Sequence, residues 1–235
     1  MTQRLIEKYK PYLILSKEEK YHPTSIEKYI RMCDFKHNNN KVDLTFDQIA
    51  FSKKLDHGKD FRMHVKPRYL TTYKKTKSHF PPVYTYTNKK ENKTQIFYFF
   101  FYNYNGPKNV LGLFPMGEHN ADLEWIIIEL HKNKPVYVFM SRHGNNYRYN
   151  YEELEMKDNR IVIYSAINSH AHYPDPKTYF RLLGLGNDVC SIGKLIDPVV
   201  RNLDNNSPLL IYKGKMGDSN KVDSLGRFVN VWIKN

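Results

Sequence analysis

The stretch TQIFYFFFYNYNGP, from Thr94 to Pro107, limits the fold more than any other part of this chain. From Ile96 to Tyr102 every residue is aromatic or aliphatic. An extended chain sends successive side chains to opposite faces, so this run places large rings on both sides and needs an apolar layer against each. It is far too short to cross a bilayer as a helix, which takes roughly 20 residues. Asn105-Gly106-Pro107 ends it, because proline cannot donate to a sheet ladder. Upstream, PVYTYT (82–87) and the polar turn NKKENK (88–93) complete a hairpin whose second strand is buried on both faces.

Strand-like runs continue in LEWIIIEL (123–130), PVYVFMS (135–141), RIVIYSA (160–166) and RFVNVWIK (227–234). Five or more strands, spaced roughly ten residues apart between polar turns, predict a mainly β chain folded as a β-sandwich. The 235 residues, 40% of them hydrophobic and 14% aromatic, suffice for such a core. No Pro/Gly/Ser-rich linker and no internal repeat divides the chain, so a single domain over 1–235 is expected. Its core sandwich occupies 81–235, preceded in 1–80 by a short helix and a loop-rich extension. The helix is read in HPTSIEKYIRMC (22–33), where Thr24 caps, Glu27 reciprocates, and Ile26, Ile30 and Cys33 share a face. Residues 36–80, with KHNNNK and many lysines, leave room for one or two short strands among loops.

Cys33 and Cys190 lack the spacing of a zinc site or a disulfide scaffold and read as buried thiols, with a single bridge between them as the lesser alternative. The opening MTQRLIEKYKPYLIL carries no signal-peptide pattern, so the chain as encoded is expected to be soluble and intracellular. A formal charge of +13 and a pI near 9.5 would suit nucleic acid or anionic lipid head groups. Even the densest basic stretch, KKLDHGKDFRMHVKPRYLTTYKKTK (53–77), mixes in acids and apolar residues, which favours a solvated surface. Abundant Lys, Asn, Tyr and Ile also fit an AT-rich coding genome, as in a large DNA virus or a protist. That bias raises pI without any binding role.

The chemistry-bearing residues gather around PMGEHNADLEWIIIEL (115–130). With a period of two, Asp122, Glu124, Ile126 and Ile128 share one face, while Leu123, Trp125 and Ile127 take the other. Two carboxylates beside an apolar row repel each other and are costly to desolvate unless a cation or a shared proton relieves them. A hard divalent ion, Mg²⁺ or Ca²⁺ ahead of Mn²⁺ or Zn²⁺, would do so, with His119 as ligand or support. Taken alone, H-x-x-D-x-E reads more simply as a solvated strand lead-in. Two further stretches shift the balance: VFMSRHGNN brings Arg142 and His143 to the end of another strand, and IYSAINSHAHYPDP brings Ser169, His170 and His172 to a third. Each histidine by itself fits a hydrogen-bonded turn, but in a sandwich such strand ends meet at one rim.

Taken in order, several motifs resemble the vacuolar protein sorting-associated protein 62 family of fungi and its plant relatives. They are YLILSKEEKYHPTSIEKYI, FYFFFYNYNGP, GEHNADLEW, SRHG, INSHAHYP, GLGNDVC and YKGKMGD. More distantly, GEHNADLEW is similar to the cation-holding motif at the β-sandwich rim of the necrosis- and ethylene-inducing proteins. Those are secreted toxins that bind a lipid head group without catalysing a reaction. The resemblance implies a metal site at His119, Asp122 and Glu124, with His170 contributed from another strand. Leu123 and Met216 stand where the family motifs carry tryptophan, and His172 replaces a small residue.

The leading expectation is therefore a binding module with a rim cation that holds a polar or phosphorylated lipid or glycan head group; Arg142 beside the site could pair with phosphate, though a solvated surface arginine is the simpler reading. A metal-dependent hydrolase using His143 or His170 as acid or base is the enzyme-class alternative. A basic structural or virion-type protein that contacts nucleic acid is the third reading.

Overall fold

In the computed structural model, which describes residues 2–76, 80–110, 114–181, 186–218 and 221–234, the aromatic run is the strand Lys93–Asn105. Every residue of it from Thr94 onward is buried. It lies inside a six-stranded sheet ordered, among the described residues, Asn145–Asn150, Lys134–Arg142, His119–His131, Lys93–Asn105, Pro82–Lys90, Val199–Asn202. Neighbours run antiparallel except for the last pair, which is parallel. Lys90 faces Lys93 across the hairpin, so the expected turn closes through Glu91 and Asn92, with Glu91 at φ 46°.

Alternation along the aromatic strand decides the layering. Ile96, Tyr98, Phe100 and Tyr102 enter one core, and Phe97, Phe99 and Phe101 enter another. The first core is closed by a second sheet in which Tyr12–Leu15 pairs in parallel with Arg160–Ser165 and antiparallel with Leu195–Ile196. Leu13, Leu15, Ile161, Ile163 and Ile196 of that sheet meet Tyr98, Phe100, Ile126 and Ile128 of the first. This face-to-face packing makes the molecule a β-sandwich. The second core is covered by the three-stranded sheet of Cys33–His37, Asn40–Val42 and Phe61–Val65, together with the helices Ile26–Arg31, Phe46–Phe51, Pro208–Ile211 and Leu225–Lys234.

Several local expectations change in the structure. The short helix is Ile26–Arg31, and its cap is Ser25 rather than Thr24, with the Ser25 hydroxyl accepting from the Lys28 amide. Glu27 bonds Ser25 and Tyr84, fixing the helix on the large sheet. A further helix, Thr2–Tyr9, buries Ile6 and Tyr9, and the Tyr98 hydroxyl donates to the Ile6 carbonyl at 2.8 Å. Within 36–80 a third helix, Phe46–Phe51, is set by a reciprocal Thr45–Gln48 capping box. The strand Tyr12–Leu15 belongs to the sandwich itself, so the first eighty residues supply part of its core. Both cysteines are buried free thiols. Among the described residues no helix is long and apolar enough to cross a membrane.

RFVNVWIK, expected to be a strand, lies in the helix Leu225–Lys234. Its apolar residues satisfy both periods, but Leu225, Phe228, Val229 and Trp232 also fall at helical spacing, and a helix is what covers Trp125 and Phe97. Ser224 starts it, its hydroxyl accepting from the Arg227 amide at 3.3 Å. Close approach holds it down: a Cβ on Gly226 would sit 2.0 Å from the Leu210 carbonyl oxygen. Alanine normally stabilises a helix over glycine by about 1 kcal/mol. Gly226→Ala is expected to do the reverse here, lowering stability by about 1–3 kcal/mol in a denaturant melt; a gain would mean that this helix is not seated as described.

Candidate functional site

The strand His119–His131 pairs along its whole length with the aromatic strand, so its alternation is fixed by register: Tyr102 faces Asp122 and Phe100 faces Glu124. Both carboxylates therefore lie in line with Ile126 and Ile128, while Trp125 and Ile127 enter the opposite core, as period two requires. Here the sheet runs out to an open cleft of about 420 Å³. Asn105, His119, Asp122, Glu124, Ser141, His143 and Ser169 line it, with Val222 and Phe228 from the C-terminal segment.

Asp122 is held by His170. The imidazole is fully buried, lies flat on the Tyr102 ring at 3.7 Å with 3° between planes, and presents Nδ1 to the Asp122 carboxylate at 2.7 Å. With a carboxylate as acceptor, Nδ1 carries the proton. Nε2 has no hydrogen bond and lies 3.9 Å from Glu19, the second residue of the acidic pair in SKEEK. Glu19 in turn accepts from the amides of Tyr21 at 2.8 Å and Asn168 at 2.6 Å, tying the N-terminal segment to the His170 loop. His170 itself sits at φ 55°, a left-handed conformation that aims its ring inward.

Glu124 accepts from the Ser141 hydroxyl, whose oxygen receives the Trp125 amide at 2.9 Å. Burial raises the Glu124 carboxyl well above its ordinary range, and the neighbouring Asp122 charge raises it further, against the opposing Ser141 hydrogen bond. His119 is half-buried and turns Nδ1 to the Ala121 carbonyl at 2.7 Å, leaving Nε2 as its remaining polar atom.

The other candidates sort around a carboxylate that sequence reasoning does not single out, Asp188. It is fully buried and gathers the Ser169 hydroxyl at 2.8 Å, the Tyr173 hydroxyl at 2.6 Å, His143 Nε2 at 2.5 Å and Lys108. Burial would raise its pKa, but the His143 hydrogen bond and the Lys108 charge outweigh that and hold it below the usual carboxylate range. Its only sequence signal is its place in GLGNDVC, of which Gly184 and Leu185 lie outside the described residues. Arg142, read from the sequence as a solvated surface arginine that could meet a phosphate, is instead buried against Tyr173 and Tyr147, at 4.1 and 4.3 Å from the ring centres, and donates through Nε to the His172 carbonyl at 2.8 Å. Guanidinium on tyrosine faces is a packing role.

His172 is likewise buried, edge-on to Phe100 at 5.4 Å, with Nδ1 3.5 Å from the Trp125 carbonyl. The structure thus brings His119, Asp122, Glu124, His143 and Ser169 to one cleft, puts His170 behind Asp122, and sets His172 and Arg142 in the adjacent packing. Among the described residues no group of three or more His, Cys, Asp or Glu side chains is arranged to hold a metal ion.

Burial, with a smaller contribution from His170, pushes His172 down to about 3 from an ordinary value of 6.5. Between those values the unfolded chain binds the proton and the folded chain does not, so stability is present above the unfolded value and is lost as pH falls. The slope approaches about 1.4 kcal/mol per pH unit for one such group. Denaturant melts across that window should show the loss, and His172→Phe should flatten it; an unchanged slope would place the acid sensitivity elsewhere.

Residues 1–202 match the family described as vacuolar protein sorting-associated protein 62. The Saccharomyces cerevisiae protein of that name is 26% identical over 205 residues, an alignment covering 69% of this chain and 43% of the yeast protein. The putative vacuolar protein sorting-associated protein TDA6 of the same yeast is 26% identical over 213 residues, covering 69% of this chain and 44% of the relative. The chain thus matches less than half the length of each. Among solved structures, necrosis and ethylene inducing protein 2 from the causal agent of cocoa's witches' broom disease is similar at 14% identity and a TM-score of 0.45, covering 84% of this chain and 72% of that one. With the family matched across most of its length, this chain belongs to the vacuolar protein sorting-associated protein 62 family.

Proposed function

We propose that the chain acts as a binding module whose rim cleft takes a divalent cation and, through it, a polar or phosphorylated lipid or glycan head group. One observation carries this reading: the Asp122 and Glu124 carboxylates stand side by side on one strand face in an open cleft, with Glu124 pushed far up by burial and by its neighbour. A cation removes both penalties at once. Two carboxylate oxygens suit a hard ion such as Mg²⁺ or Ca²⁺, which completes its shell with water and ligand oxygens. Asp122 and Glu124 would supply the charged donors, while His119, whose Nδ1 is turned to the Ala121 carbonyl, is not arranged with them as a third protein ligand and would act only through the ion's water shell. His170, clamped on Tyr102, would orient Asp122 as outer partners orient ligands in metal sites. The bound ion contributes positive charge that head-group phosphate or hydroxyl oxygens can share.

The hydrolase reading has less behind it. Of its two candidate acid–base groups, His170 is fully buried behind Asp122, and His143 gives its Nε2 to Asp188 rather than to the carboxylate pair.

Glu124→Gln tests the site. The amide keeps a partner for Ser141 and removes the carboxylate repulsion, so without added cation the variant is expected to melt higher, by about 2–4 °C for each kcal/mol relieved. Millimolar Mg²⁺ or Ca²⁺ should raise the melting temperature of the parent and leave the variant unmoved. A parent that does not respond to either ion, or a variant that responds equally, would refute the cation site.

A further inference from the structure

A second site lies on the outer face of the three-stranded sheet. Lys36 faces Lys41 on one side and Arg62 on the other, and Arg62 is bridged in turn to Lys215. Directly opposed residues project from the same face, roughly 5 Å apart. Four adjacent segments thus each contribute one cation to a single row. Like charges placed opposite each other destabilise a sheet, so such a row calls for compensation. Its ends are compensated: Lys41 pairs with Asp34 at 3.3 Å and Lys215 with Asp223 at 2.5 Å. Among the described residues, its middle members Lys36 and Arg62 form no ion pair.

The row borders a concavity of about 340 Å³, where Lys59 and Arg227 join Lys36, Arg62 and Lys215 against one lining carboxylate, Asp60. Asn38 and Asn39, at φ 48° and 66° in the hairpin turn, add amide groups at its edge. The positive field reaches His64 on the same sheet face, whose pKa is lowered first by burial and then by Lys36, with Arg62 adding to it. A solvated charged surface would spread these groups apart; here the backbone register brings them together around a hollow.

The geometry points to a binding site for a compact polyphosphorylated anion, several phosphate esters on one small scaffold, contacted centrally by Lys36 and Arg62. Arginine and lysine side by side supply forked and point-like donors to phosphate oxygens. A single-stranded nucleic acid fits less well, because such sites stack bases on exposed aromatic rings. The lining ring, Phe61, is only 2% exposed and is stacked on His37. The ligand chemistry is the same whether the phosphates are carried by a soluble polyol or by a lipid head group, and the test separates the two.

The probes are inositol hexakisphosphate in solution, and phosphatidylcholine vesicles carrying either phosphatidylinositol bisphosphate or phosphatidylserine at equal charge, all at physiological ionic strength. The parent is compared with Lys36→Gln/Arg62→Gln and with Lys132→Gln/Lys157→Gln, which removes the same charge from exposed sites elsewhere. Saturable binding is expected, weakened about tenfold or more in the first variant and within about twofold of the parent in the second. The first variant should melt at or above the parent, since repulsion within the row is removed. Should it fail to fold, Lys36→Gln alone carries the comparison. Binding to the soluble probe as well as to bisphosphate vesicles supports the site with a soluble source; binding to those vesicles alone supports it with a membrane source. The proposal fails if neither probe binds, if the two variants lose equally, if phosphatidylserine vesicles serve as well, or if a single-stranded oligonucleotide of matched charge binds as tightly.

Discussion

The strand Lys93–Asn105 imposes the architecture. It carries phenylalanine and tyrosine rings on both faces, and a fully buried ring of this kind contributes about 3–5 kcal/mol when compared with alanine. Neither face can be left to water. One is closed by the second sheet of the sandwich, whose central strand comes from the N-terminal segment Tyr12–Leu15. The other is closed by the small sheet and the helices, including the C-terminal Leu225–Lys234. Chain segments far apart in sequence are thereby committed to one body, and the rim cleft and the cation row both follow from where they end.

The rim cleft inherits its chemistry from that strand. His119–His131 pairs with it over its full length, and register alone sets Asp122 against Tyr102 and Glu124 against Phe100. Two carboxylates are thus carried to the edge of an aromatic core, where water is scarce and charge is costly. Tyr102 does double service, pairing with Asp122 across the sheet and supplying the flat surface on which His170 lies. Asp188, fully buried nearby, draws Ser169, His143, Tyr173 and Lys108 into a satisfied network that fixes the surrounding loops.

Much of this is legible in the sequence. The double-faced strand, its hairpin partner and the shared side of Asp122 and Glu124 follow from period two, which is local and strong. The cap at Ser25 in place of Thr24 differs by one residue, within the usual play of helix starts. RFVNVWIK reads as a strand because its apolar residues satisfy strand and helix spacing alike, and the choice is made by Trp125 and Phe97, which a linear reading cannot place beside it. Asp188 and Glu19 carry little local signal because the contacts that give them their roles, to His143, Ser169 and the Asn168 amide, are made across the fold. Arg142 reads as a surface cation in the sequence because Tyr173, one of the rings that enclose it, lies on a strand thirty-one residues away and meets it only in the fold. The cation row is hidden for the same reason: Lys36, Arg62 and Lys215 become neighbours only through register.

If the Asp122–Glu124 pair exists to hold a cation, the metal content of the protein must depend on it. Elemental analysis of protein purified without chelator, beside Asp122→Ala prepared in the same way, tests this most directly. A near-stoichiometric divalent metal in the parent and its loss from the variant are the predicted result. Metal absent from both even after soaking with Mg²⁺, Ca²⁺, Mn²⁺ and Zn²⁺ in turn, or retained equally by both, would contradict it.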